Sequence, residues 1–104
     1  MEDLLKSIGH RICTQRKLMG YTQEQLSEMM DVSIQMISNL ERGNKSIKIE
    51  NLLKVCSILN VSTDYILKGE YSETDKNTLF EKIKNLSDRD YQIVNHLVDC
   101  FFDE

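Results

Sequence analysis

The sequence predicts an all-α chain, a bundle of five short helices followed by a helical extension. Three observations carry that reading. The chain has no Pro, four Gly and 7% aromatic residues, too little turn chemistry for a β-sandwich. Apolar residues recur three and four apart, the period of one helix face. Ser or Thr precedes several of these runs, and Thr22 with Gln25 and Ser87 with Asp90 have the spacing of a helix start. At 104 residues there is room for one domain and a small appendage.

Helix 1 is expected from about Asp3 to Met19, with Leu5, Ile8, Ile12 and Met19 near one face. Gly9 inside it costs about 1 kcal/mol relative to Ala, so a close approach of another helix is the expected reason for it. Arg16 shares the face of Ile12 and needs a partner there, because an isolated guanidinium in a core is costly. Gly20 and Tyr21 mark a turn. Thr22 and Gln25 then form a capping box for helix 2, whose Leu26, Met29 and Met30 make an apolar face.

Asp31 and Val32 turn the chain, and Ser33 is a second cap. In helix 3, Ile37 and Leu40 lie on one side with Glu41 beside them. The 100° step sets Gln35, Ser38, Asn39 and Arg42 on the other side. That strip is polar, small and free of carboxylates, as a helix entering a DNA major groove requires. Gly43 is a natural C-cap, and Asn44, Lys45 and Ser46 form a polar loop. Helix 4, about Ile49 to Leu59, is expected to turn Leu52, Leu53, Cys56 and Leu59 inward. Ser62 caps helix 5, about Thr63 to Lys68, where Tyr65, Ile66 and Leu67 close the core and Gly69 ends it.

A pair of short amphipathic helices is by itself common; the flanking sequence makes this pair informative. From Ile8 to Gly69 the chain resembles the DNA-binding domain of the Cro and phage-repressor (XRE) family. The likeness rests on I-G-x-R-I-x-x-x-R-K at Ile8 to Lys17, G-Y-T-Q-E-Q-L-S at Gly20 to Ser27, V-S-x-x-x-I-S-x-L-E-R-G at Val32 to Gly43, and L-L-K-V-C-S-I-L-N-V-S at Leu52 to Ser62. It implies a lambda-repressor-like five-helix fold over residues 1–69 and a cytoplasmic regulator of transcription, a repressor by family habit. It also implies an Arg16–Glu41 ion pair.

Binding of double-stranded DNA then divides into two classes of contact. Base edges would be read by Ile34, Gln35, Ser38 and Asn39, with Gln35 and Asn39 each able to bond adenine through N6 and N7 and Ile34 able to touch a thymine methyl. Phosphates would be held by Gln23, Arg42, Asn44, Lys45 and Ser46, with Lys17, Arg11 and Lys48 as further candidates. The chain departs from the family pattern at Asp31, where the turn usually has Gly, at Gln15, which replaces a usual Leu, and at Ile47 and Lys48, which replace the usual Pro and capping residue.

After Gly69 the pattern changes, so residues 70–104 are read as a linker with C-terminal helices. Glu70 to Asn77 is polar and reads as linker; Thr78 to Leu86 carries Leu79, Phe80, Ile83 and Leu86 at helical spacing. A last helix from Asp88 to Phe102 puts Tyr91, Val94, Leu97, Val98 and Phe101 on one stripe, widened by Ile93, Cys100 and Phe102. This exceeds what a terminal helix needs to rest on a small domain. The tail either folds back on the bundle or pairs with its copy. A homodimer is the preferred expectation, since two-fold dimers read near-palindromic sites.

Net charge is −4, yet residues 1–69 hold 9 Lys/Arg against 8 Asp/Glu and residues 70–104 hold 4 against 9. Acid is concentrated in the tail, and phosphate affinity follows the local field rather than the total. Cys13, Cys56 and Cys100 are odd in number and far apart, against a disulfide framework or zinc site. His10 with Cys13 and His96 with Cys100 each sit one turn apart, too few ligands for a structural metal. No Gly-rich phosphate loop, H-E-x-x-H or paired carboxylates suggest an enzyme or a cofactor. No run of 18 apolar residues or signal-peptide pattern points to a membrane. The rival reading is a protein-interaction role, with the tail binding an effector or a toxin for which the chain is the antitoxin.

Overall fold

The computed structural model describes residues 2–102. They form seven helices and no strand: α1 (Glu2–Leu18), α2 (Gln23–Met30), α3 (Ile34–Glu41), α4 (Ile49–Leu59), α5 (Thr63–Lys68), α6 (Glu73–Lys84) and α7 (Asp88–Phe102). The chain divides into two units, one ending at Glu70 and one beginning at Tyr71.

In the first unit, Ile8 and Ile12 of α1, Leu26 and Met30 of α2, Ile37 of α3, four residues of α4 and Ile66 of α5 make one core. Each fully buried aliphatic side chain contributes about 1.5 to 3 kcal/mol relative to exposure. Helix α1 packs on α3, α4 and α5, and α2 packs on α3 and α4.

Four inward assignments are corrected. Leu53 is 60% exposed and Val55 is buried in its place. Leu52, Val55, Cys56 and Leu59 follow the three-and-four spacing of one stripe, whereas Leu53 lies 100° off its centre line. Met29 is exposed because α2 turns Ser27 inward instead, its Oγ donating to the Glu24 carbonyl at 2.6 Å. Met19 lies past the last residue of α1 and Leu67 at the edge of the core, both partly exposed.

One ending recurs. Gly20, Asp31 and Asn60 have φ of 80°, 58° and 56°, the left-handed region. The amide of each following residue reaches back to a helix carbonyl: Tyr21 to Arg16 at 3.1 Å, Val32 to Ser27 at 3.0 Å and Val61 to Cys56 at 3.0 Å. This Schellman closure satisfies end carbonyls and turns an apolar residue onto the core, and Tyr21, Val32 and Val61 all pack there. Asp31 adopts a conformation that costs an ordinary residue roughly 1–2 kcal/mol and that Asp tolerates better than most.

In the second unit, α6 starts earlier than the composition suggested. Ser72 and Asp75 form a complete capping box, so Glu73 to Asn77 are helical and not linker. Helix α7 spans the expected residues, with Ser87 Oγ accepting from the Asp90 amide at 3.2 Å. Neither α6 nor α7 has a buried residue. Among the described residues no helix is long and apolar enough to cross a membrane.

Candidate nucleic-acid interface

Helices α2 and α3 and the loop after them carry the candidate site. The Thr22 hydroxyl accepts from the Gln25 amide and the Gln25 side chain accepts from the Thr22 amide, fixing the start of α2. Ser33 caps α3 by accepting from the Met36 amide at 3.1 Å. Ile37 and Leu40 are buried, so α3 can present only its other side. On that side Ile34 is 48% exposed and Gln35 is exposed, while Ser38 and Asn39 are half-buried. The Gln35 Nε2 donates to Asn39 Oδ1 at 3.3 Å, and Arg42 NH2 donates to the same oxygen at 3.0 Å. The strip is therefore a connected row of amides ending on a guanidinium.

Beyond α3 the chain closes through Gly43, with the Gly43 amide bonded to the Leu40 carbonyl at 3.1 Å and the Asn44 amide to the Asn39 carbonyl at 2.9 Å. Gly43 has φ 76°, and a Cβ there would lie 2.7 Å from the Lys6 Cα, so only glycine fits. Asn44, Lys45 and Ser46 follow on the surface, all exposed.

What holds α3 in place is buried beneath it. Arg16 of α1 donates from Nε to Glu41 Oε2 at 2.7 Å, from NH2 to Glu41 Oε1 at 3.0 Å and from NH1 to the Tyr21 carbonyl at 2.8 Å. Gln23 adds a bond from Nε2 to Glu41 Oε1 at 3.0 Å. Burial pushes the Glu41 carboxyl up, but the bonds from Arg16, Gln23 and Cys13 and the charge of Arg16 outweigh it and hold it below the usual range. The bond to Glu41 chiefly raises Arg16. Gln23 thus sits at the start of α2 beside the end of α3, half-buried. Gly9 lets α1 approach this point: a Cβ would overlap the Leu40 carbonyl and lie 2.6 Å from that of Glu41.

Gln23, expected at a phosphate, is thus also tied to Glu41, and two further residues bond within the fold. Arg11, half-buried, donates from NH1 to the Ile66 carbonyl at 3.0 Å, so one of its N–H groups is committed to the end of α5. Gln15 donates to the Leu59 carbonyl at 3.0 Å, supplying an end carbonyl of α4 where a Leu would leave it unmet. In the sequence Gln15 stands out only as a replacement of the usual Leu, which names no partner. Cys56 is a core thiol that burial pushes up. Among the described residues no group of three potential metal ligands exists.

Comparison with known proteins adds to this geometry. The helix-turn-helix family matches residues 14–66. The HTH-type transcriptional regulator ImmR of Bacillus subtilis (strain 168) is 39% identical over 90 residues, covering 81% of this chain and 71% of ImmR. The P22 c2 repressor in complex with a synthetic operator superposes with a TM-score of 0.59 and 40% identity, covering 61% of this chain and 96% of that one. The complete C2 repressor of Salmonella phage P22 is longer, the match spanning 32% of it. A chain of the SinR–SinI protein complex superposes over 93% of this chain and 99% of its own length, with a TM-score of 0.61 and 25% identity. The chain thus belongs to the helix-turn-helix family of transcriptional regulators, in its Cro and phage-repressor (XRE) group.

Proposed function

We propose that this chain is a cytoplasmic repressor that binds a near-palindromic double-stranded DNA site as a dimer, inserting α3 into the major groove. The observation that carries it is the outward strip of α3, uncharged from Ile34 to Asn39 and free of any carboxylate. Ile34, Gln35, Ser38 and Asn39 read base edges; Gln23, Arg42, Asn44, Lys45 and Ser46 hold phosphates. The likeness to a repressor solved on its operator supports this use of the fold.

Dimerisation falls to α7, whose Tyr91, Leu97, Val98 and Phe101 are exposed and carry the stripe that a second copy would cover. Selection of bound sequences from a random duplex pool at stated salt tests the function. Enrichment of one near-palindromic motif is expected, and no preference over random competitor DNA defeats it.

A further inference from the structure

We propose that Arg42 is a positioning residue which fixes the amide of Asn39, so that Gln35 alone reads adenine while Asn39 reads a base edge that accepts. This rests on the DNA-reading function proposed above and names what that site selects.

A side-chain amide has two acceptor sites on its oxygen and two donor hydrogens on its nitrogen. Asn39 Oδ1 already accepts from Gln35 Nε2 and from Arg42 NH2, which fills both sites. The orientation is not arbitrary. A guanidinium can only donate, so the Asn39 atom 3.0 Å from Arg42 must be the oxygen, and that charge-assisted bond is the stronger of the two. Both Nδ2 hydrogens then point away from the row, uncommitted.

Bidentate reading of adenine needs the amide oxygen to accept from N6 while the nitrogen donates to N7. Asn39 cannot supply that oxygen while Arg42 holds it. What it offers is donors, matched by guanine N7 and O6 or by thymine O4. Gln35 is in the opposite position, having used one hydrogen and kept the other together with its whole oxygen. It retains the pair of groups adenine requires. Four residues of helix separate their backbones by about 6 Å along the axis, so with α3 lying along the groove the two meet different base pairs. Arg42 still has four N–H groups for a phosphate, and gripping the backbone with them ties the register of the protein to the orientation of its reading amide.

The test is sequence selection with the full chain in four forms: unchanged, Gln35→Ala, Asn39→Ala and Arg42→Met. The position whose preference Asn39→Ala erases is the one Asn39 reads, and guanine or thymine is expected there. Adenine is expected at the position that Gln35→Ala erases. Arg42→Met should weaken all sequences together and, at the Asn39 position alone, move the preference toward adenine by about tenfold. Adenine at that position in the unchanged chain overturns the proposal, as does a uniform loss in Arg42→Met with the motif intact. A chain that enriches no motif overturns the DNA-reading function itself. Without DNA, the Asn39 side-chain amide resonances should shift in Arg42→Met, and unmoved resonances overturn the fixed orientation.

Discussion

Arg16 of α1 and Glu41 of α3 meet through two parallel bonds, at 2.7 and 3.0 Å, with side chains only 9% and 4% exposed. The pair joins the first helix to the end of the helix that presents the polar strip. Removing the guanidinium leaves a buried carboxylate, and Arg16→Ala should cost about 3 to 5 kcal/mol. In a domain of this size that lowers Tm by roughly 12 °C or more. A thermal melt checks it, and an unchanged Tm would show the pair to be incidental.

The same pair makes stability depend on acid. Glu41 is held below its ordinary value, so as pH falls the unfolded chain takes up a proton before the folded one does. The contribution of Glu41 is complete above about pH 4.3 and is lost as pH drops through its lower folded value. Arg16 stays charged throughout. Melts across this range should show Glu41→Gln less stable at neutral pH and flatter in acid than the parent chain. Parallel curves would mean that other carboxylates govern the acid limb.

Gly9 sits where α1 crosses the end of α3. In an exposed helix Gly→Ala stabilises by about 1 kcal/mol; here the added Cβ meets the Leu40 and Glu41 carbonyls, which are backbone and cannot rotate away. Gly9→Ala should destabilise by about 1 to 3 kcal/mol, and it should weaken operator binding in proportion to any tilt it forces on α3. A stabilised variant would place the helices farther apart than the structure does.

How much of this the sequence disclosed depends on which interaction was involved. Helix α7 was readable to the residue because its stripe and its Ser87 cap are local. The outward strip of α3 was readable because Ile37 and Leu40 leave it no other side. Leu53 and Met29 misled because composition says that a side chain is apolar, not whether its neighbours Val55 or Ser27 fill the core first. Residues Glu73 to Asn77 looked like linker on polarity, although Ser72 and Asp75 already had capping-box spacing. Gln15 and Arg11 were not readable: their acceptors, the carbonyls of Leu59 and Ile66, lie 44 and 55 residues away, and no local pattern reports a bond of that range.

Base and phosphate contacts should separate by experiment. Gln35→Ala should reduce binding to the selected site by about 1 to 3 kcal/mol and relax choice at one base pair. Lys45→Ala should weaken all sequences alike and reduce the salt slope by about one unit. Competition binding at several salt concentrations tells them apart. A Gln35→Ala chain that keeps its full preference would mean that α3 lies in the groove on another face.

The tail makes the last prediction. Leu97 and Phe101 lie four residues apart on α7, 59% and 85% exposed, with Val98 between them at 45%. No residue of α6 or α7 is buried, so these helices contain no core of their own. A second copy would cover the stripe, and a two-fold pair suits recognition helices about 34 Å apart, one turn of DNA. Leu97→Glu with Phe101→Glu places carboxylates in the centre of that contact and leaves the core of the first unit untouched. Sedimentation at micromolar concentration should show a dimer for the unchanged chain and a monomer for the double variant. The variant should still melt cooperatively, and it should bind a half-site as the parent does while losing the advantage of the full palindrome. An unchanged chain that sediments as a monomer removes the dimer. Co-purification of a different protein lost only in the double variant would give the same surface to that partner instead.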